Sequence, residues 1–176
     1  MILPRKCLVD TNVPIVANLA TIPDSKSDVS DCCILKCIQH LEKVTQDGVL
    51  VLDDGGEIFN EYINNLSLSG QPGQGDAFAK WVNNHQWNPK KVHRITITKN
   101  RESYDQFPTH ASLTCFDNSD RKFIAVANAH PDKPPILQAT DSKWFGWKDA
   151  LSEVGIMVHF LCPDYVQTKY AKKMES

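Results

Sequence analysis

The chain has 176 residues, enough for one domain with a two- or three-layer core and too few for two of ordinary size. Its 41% hydrophobic and 23% charged residues belong to an ordinary globular protein, and 19 basic against 21 acidic residues leave a formal charge of −2. That balance excludes the strongly basic footprint of a simple nucleic-acid binder, and no apolar run reaches the roughly 20 residues that cross a bilayer.

Met1-Ile2-Leu3-Pro4-Arg5-Lys6 lacks the apolar core of a signal peptide, so a cytoplasmic chain with no membrane partner is expected. Cys7-Leu8-Val9 then forms a short apolar run ending at Asp10, followed by a helix over residues 13–19. Residues 24–30 are polar and turn-like. Over residues 30–45, Ile34, Leu35, Ile38 and Leu41 recur at helical spacing, with Ser30 or Asp31 as N-cap and Gly48 as the stop. Val49-Leu50-Val51-Leu52 is continuously apolar, the mark of a strand buried on both faces.

Asp53-Asp54-Gly55-Gly56 turns the chain into a helix with Ile58, Tyr62, Ile63 and Leu66 on its apolar side; Asp53 and Asp54 suit turn and cap positions. Residues 70–75, Gly-Gln-Pro-Gly-Gln-Gly, read as a flexible loop, and a helix carrying Phe78, Trp81 and Val82 follows. Residues 92–98 alternate and are rich in β-branched types, as in an edge strand. Residues 100–118 read as irregular, 120–129 as helix, 136–140 as a strand ending at Asp141, 147–154 as helix and 156–161 as a last strand. This alternation predicts an α/β fold, a three-layer α/β/α sandwich around a mostly parallel sheet, formed as a single domain over residues 1–176.

Residues at the carboxyl ends of neighbouring parallel strands converge on one edge of the sheet. Asp10 and Asp141 each end a strand-like run, and Glu61 and Asp120 sit on helix-like stretches close to that edge. Carboxylates that converge repel one another unless a cation neutralises them, and oxygen-only donors suit Mg²⁺ or Mn²⁺. A metal-dependent phosphodiesterase is the reading these residues support. Setting the four acids aside takes the remaining charge from −2 to +2. Lys90, Lys91 and Arg94, Lys99 and Arg101, and Lys169, Lys172 and Lys173 form local basic sets compatible with a polyanion.

Six cysteines are present. Cys33, Cys37 and His40 can share one side of a helix, which raises zinc, but no second Cys or His pair follows at finger-like spacing, and buried reduced thiols are expected. Trp81, Trp87, Trp144 and Trp147 read as core anchors, Trp144 with a base-stacking alternative because it follows Asp141. His110, before Asp120, is the histidine to test against substrate.

Val-Asp10-Thr-Asn12, a mid-chain helical glutamate, Asp120-Arg-Lys-Phe-Ile-Ala-Val-Ala and Ala-Thr140-Asp141 together resemble a PIN domain over roughly residues 6–161. The resemblance implies a PIN-like sandwich and Mg²⁺- or Mn²⁺-dependent endonuclease activity on RNA in preference to DNA. Asp10, Glu61, Asp120 and Asp141 would be the catalytic and metal-holding set. Glu57, one turn before Glu61, is the second candidate for the second acid. Asn12, Thr140 and Asp117 would support the site. Lys143, where the family often carries a further polar or acidic residue, weakens a second metal position or supplies a phosphate contact. The family's toxins imply an antitoxin partner, a homodimer, and a role in a toxin–antitoxin or defence system. The alternative is a catalytically inactive PIN-like module that binds nucleic acid or protein. A phosphatase-like Asp-x-Asp reading fails because position 12 is Asn.

Overall fold

A computed structural model describes residues 5–22 and 27–175. A five-stranded, all-parallel sheet lies at its centre in the order β3-β2-β1-β6-β7. Its strands are β1 (Lys6–Val9), β2 (Val49–Asp53), β3 (Val92–Ile95), β6 (Ile136–Gln138) and β7 (Val158–Phe160). A two-stranded antiparallel hairpin, β4 (Lys99–Asn100) with β5 (Ser103–Tyr104), sits apart from it. Helices α1 (Asn12–Asn18), α2 (Asp31–Asp47), α3 (Glu57–Asn65), α4 (Gln74–His85), α5 (Arg121–Ala129), α6 (Lys143–Glu153) and α7 (Pro163–Met174) complete an α/β/α sandwich.

The order of strands follows from burial. β2 is buried at every position, whereas the outer strands β3 and β7 are mostly half-buried, as edges must be. Leu8, Val9, Leu50, Val51, Leu52, Ile136 and Leu137 are essentially inaccessible. Each such side chain contributes about 1.5–3 kcal/mol by leaving water, which is why the apolar strands take the middle of the molecule. The chain runs from β1 outward to β2 and β3, then returns to β6 on the other side of β1. That reversal makes the carboxyl ends of β1 and β6 a topological switch point, the place where an open parallel sheet leaves a crevice.

The helices begin where local chemistry allows. Ser30 accepts a hydrogen bond from the Cys33 amide and caps α2. Asp53, at the end of β2, accepts from the Glu57 and Ile58 amides at 2.7 and 2.8 Å and so caps α3, as expected for that acid. The stretch over residues 70–75 is more constrained than its glycines suggest. α4 begins within it, and a Cβ on Gly75 would stand 2.0 Å from the Pro14 carbonyl oxygen, so glycine lets α4 approach α1. Asn18 reaches across to the Gly75 amide at 2.8 Å and to Asp76 at 3.1 Å, pinning the same junction.

Other expectations need correction. Residues 100–118 contain most of the β4–β5 hairpin, which starts at Lys99, and a 3₁₀ turn, Ala111–Leu113, too short for a periodic pattern to reveal. α6 starts at Lys143 rather than 147, and the terminal α7 went unread because its sequence is largely polar with Val166 its buried residue. Trp87 is 75% exposed and stacks under Arg94 at 4.0 Å, so it anchors no core. Cys33 and Cys162 form a disulfide joining α2 to the start of α7, against the expectation of reduced thiols. Cys7 and Cys37 remain buried free thiols, each pushed up to about 12 by burial.

Candidate active site

Asp10 follows β1 directly and is buried. Its carboxylate accepts the Asn12 amide at 2.9 Å and a weaker contact from Gln138 Nε2 at 3.4 Å. Gln138 is itself fully buried at the end of β6, and its Oε1 accepts the Asp141 amide at 3.2 Å. One amide side chain thus bridges the first and fourth acids. Its sequence signal was a lone polar residue inside Ile-Leu-Gln-Ala, a place where burial without a partner is costly.

Asn12 works as a clamp between the two strand ends. Its Oδ1 accepts the Thr140 amide at 2.6 Å and the Thr140 hydroxyl at 2.9 Å. The side chain is therefore turned toward Thr140, and its backbone amide meets Asp10. Thr11 Oγ1, beside them, is buried with no hydrogen-bond partner among the described residues.

Glu61 and Glu57 separate cleanly. Tyr62, next to Glu61, is fully buried and its hydroxyl donates to the Val9 carbonyl, the residue before Asp10. That bond ties α3 to β1 and places Glu61 in the electrostatic neighbourhood of Asp10. Glu57 instead accepts from the Tyr104 hydroxyl at 3.3 Å and faces Lys99 at 3.7 Å.

Asp120 precedes α5, and its Oδ2 accepts the indole N–H of Trp144 at 3.0 Å. Trp144 is fully buried, packed edge-on against Phe116 at 5.3 Å, which rules out base stacking and makes it a positioning residue for Asp120. Asp141 accepts the Lys143 amide at 3.0 Å at the entry to α6. Asp117 pairs with Lys143 Nζ at 3.0 Å and accepts from Ser119, so these two residues satisfy each other at the surface. His110 bonds Glu153 at 2.8 Å and caps the 3₁₀ turn.

Asp10 and Asp120 sense the other acids. Burial, first, and then the charges of Asp120, Glu61 and Asp141 push the Asp10 carboxyl well above its ordinary range, against the pull of the Asn12 amide. Burial also raises Asp120 to about 6, with Asp141, Asp117 and Glu61 adding to the shift and the Trp144 hydrogen bond opposing it. Lys122 joins this site without a local sequence signal. It is buried on α5, forms an ion pair with Glu61 and donates to the Ser119 carbonyl. A lysine in Asp-Arg-Lys-Phe reads as surface charge; its burial follows from a helix whose positions 122–127 are all covered.

The donor set is all carboxylate, which fits a hard cation. The spacing is open: no three of these carboxylates bring oxygens within 4.8 Å of one another, a closeness reached among the described residues only by Cys33, Cys37 and Cys162. Mg²⁺ commonly keeps several waters and takes one or two carboxylates directly, so an open ring of acids suits it without collapse. Beside the acids lies a cleft of about 370 Å³ lined by Glu57, Lys99, Arg101, Tyr104 and Lys122.

Compared with protein-family models, with curated proteins and with solved structures, the chain shows no significant match. Its function has to be argued from the site.

Proposed function

We propose that this chain is a metal-dependent nuclease of PIN-like type that hydrolyses phosphodiester bonds, RNA before DNA. The observation that supports the reading is that Asp10, Glu61, Asp120 and Asp141 lie close enough to interact electrostatically beside the switch-point crevice, with Asp10 and Asp120 held above their ordinary pKa by burial and by their neighbours. Mg²⁺ or Mn²⁺ held by these four would supply Lewis acidity to the phosphoryl oxygen and to the attacking water. The chain's own part is placement. Asn12 and Gln138 lock the Asp10 and Asp141 ends together, Tyr62 sets Glu61 against Asp10, and Trp144 aims Asp120. Lys99, Arg101 and Lys122 line the adjoining cleft and suit a phosphate backbone leading to the acids.

A toxin role, an antitoxin partner and a homodimer belong to the same proposal and rest on the PIN resemblance. Among the described residues no helix is long and apolar enough to cross a membrane.

The Lys122–Glu61 pair favours a second reading, a non-cutting PIN-like module in which lysine stands in for part of the metal's charge. Cleavage of labelled single-stranded RNA, structured RNA and DNA with Mn²⁺ separates the two, run with wild type, Asp10→Asn and Asp141→Asn. The nuclease reading expects cutting by wild type alone. Equal activity in all three proteins, or none together with no Mn²⁺ binding, rejects it.

A further inference from the structure

A second cluster lies apart from the acids and does not depend on the nuclease reading. Cys33 and Cys37 are one turn apart on α2 and share a face. The fold brings to them Cys162, 129 residues beyond Cys33. All three are buried, and their sulfurs lie within 4.8 Å of one another. A disulfide uses two sulfurs, Cys33 and Cys162, and leaves Cys37 a free thiol at its side. We propose that Cys33, Cys37 and Cys162 form a Zn²⁺ site in the reduced chain, so that this corner of the molecule exchanges a disulfide for a metal ion.

The chemistry is specific. Zn²⁺ binds thiolates at about 2.3 Å in tetrahedral geometry, which sets the sulfurs about 3.8 Å apart. The present cluster already holds the three sulfurs within 4.8 Å of one another, close to that spacing. Thiolates also discriminate against the hard ions that suit the carboxylates, so the two sites select different metals. Cys33 lies in the first turn of the 17-residue α2 and Cys162 is the N-cap of the 12-residue α7, where helix dipoles favour anionic sulfur. His40, on the same stripe of α2, brings no nitrogen within 4.8 Å of all three sulfurs, so the fourth position of the tetrahedron would fall to water.

The step balances with a dithiol as reductant. Its two thiols become a disulfide, and two electrons and two protons pass to the Cys33 and Cys162 sulfurs. Zn²⁺ then takes the three sulfurs as thiolates, and their three protons go to solvent.

The test uses the full chain treated with a phosphine reductant, its six thiols confirmed by titration, and Co²⁺ as a spectroscopic probe displaced by Zn²⁺. The expected result is a thiolate-to-cobalt charge-transfer band that saturates at one ion per chain and is missing from the oxidised protein. Cys37→Ser and Cys162→Ser should bind Co²⁺ at least roughly 100-fold more weakly, while Cys32→Ser and Cys115→Ser keep the band. Cys37→Ser retains both disulfide cysteines, so circular dichroism of its oxidised form shows whether it folds. A reduced wild type without the band, a band unchanged in Cys37→Ser, or an equal thiolate-to-cobalt band in the oxidised chain overturns the proposal.

Discussion

The two ends of the central sheet treat charge in opposite ways. At the amino end, Lys6 pairs with Asp132, and His93 stacks on His130 with ring centroids 5.7 Å apart. The Lys6 hydrogen bond draws Asp132 below its ordinary range, and burial lowers His130. At the carboxyl end, Asp10 and Asp120 are raised, because burial and like charges outweigh their few hydrogen bonds. One end has settled its charges with partners inside the chain. The other gathers several carboxylates around one buried lysine, Lys122, and under the proposed reading that is where a cation would belong.

The largest effect expected from breaking this asymmetry is on chemistry. Asp10→Asn should lower Mn²⁺-dependent cleavage on the order of 10³-fold while leaving the metal-free melting temperature equal or higher, since the amide keeps its acceptor oxygen and loses the repulsion. Paired cleavage assays and thermal melts check both halves.

The pH dependence of stability comes next. Asp10 and Asp120 have folded pKa values above the ordinary 3.8, so their contribution in metal-free protein is full below that value and is lost as pH rises, through about 6 for Asp120. Asp28, Asp117 and Asp132, lowered by lysine partners, act the other way: their contribution is full above 3.8 and is lost as pH falls. The melting temperature in chelator should therefore decline between about pH 4 and pH 6 from the acidic end. Mn²⁺ should reverse that decline at pH 7 and not at pH 5. A chelator curve that stays flat in Asp10→Asn/Asp120→Asn and slopes in wild type assigns the effect.

Lys122→Met should destabilise the metal-free chain by about 1–2 kcal/mol, a buried-pair loss discounted because Glu61 is partly exposed. Mn²⁺ should restore more of that loss than it adds to wild type, as measured by urea unfolding with and without the ion. Asn12→Ala removes two hydrogen bonds to Thr140 and should cost about 1–2 kcal/mol, with a smaller fall in cleavage than Asp10→Asn. The smallest effect belongs to the settled end: Lys6→Ala should leave cleavage unchanged.

What the amino-acid order revealed follows the same division. Asp10 and Asp141 were legible because each ends an apolar run, and Asp120 because it heads a helical stretch. Spacing favours Glu61 over Glu57, and in the fold the Tyr62 tether holds Glu61's helix to β1 while Glu57 meets Tyr104 and Lys99. Gln138 and Lys122 were missed, since their environment is set by strands and helices distant in sequence. The Cys33–Cys162 bond was hidden for the same reason, as no local pattern links residues 129 apart. The parallel sheet itself was readable from alternating apolar runs, while the two-residue strands of the hairpin were too short to leave a period.

The Tyr62 hydroxyl, anchored on the Val9 carbonyl, ties the α3 backbone that carries Glu61 to the strand that delivers Asp10. Under the proposed metal reading, that tether would help to set ion size from behind the acids. A phenylalanine at that position would leave every ligand in place yet loosen the aperture, and Ca²⁺ should gain on Mg²⁺ in competition.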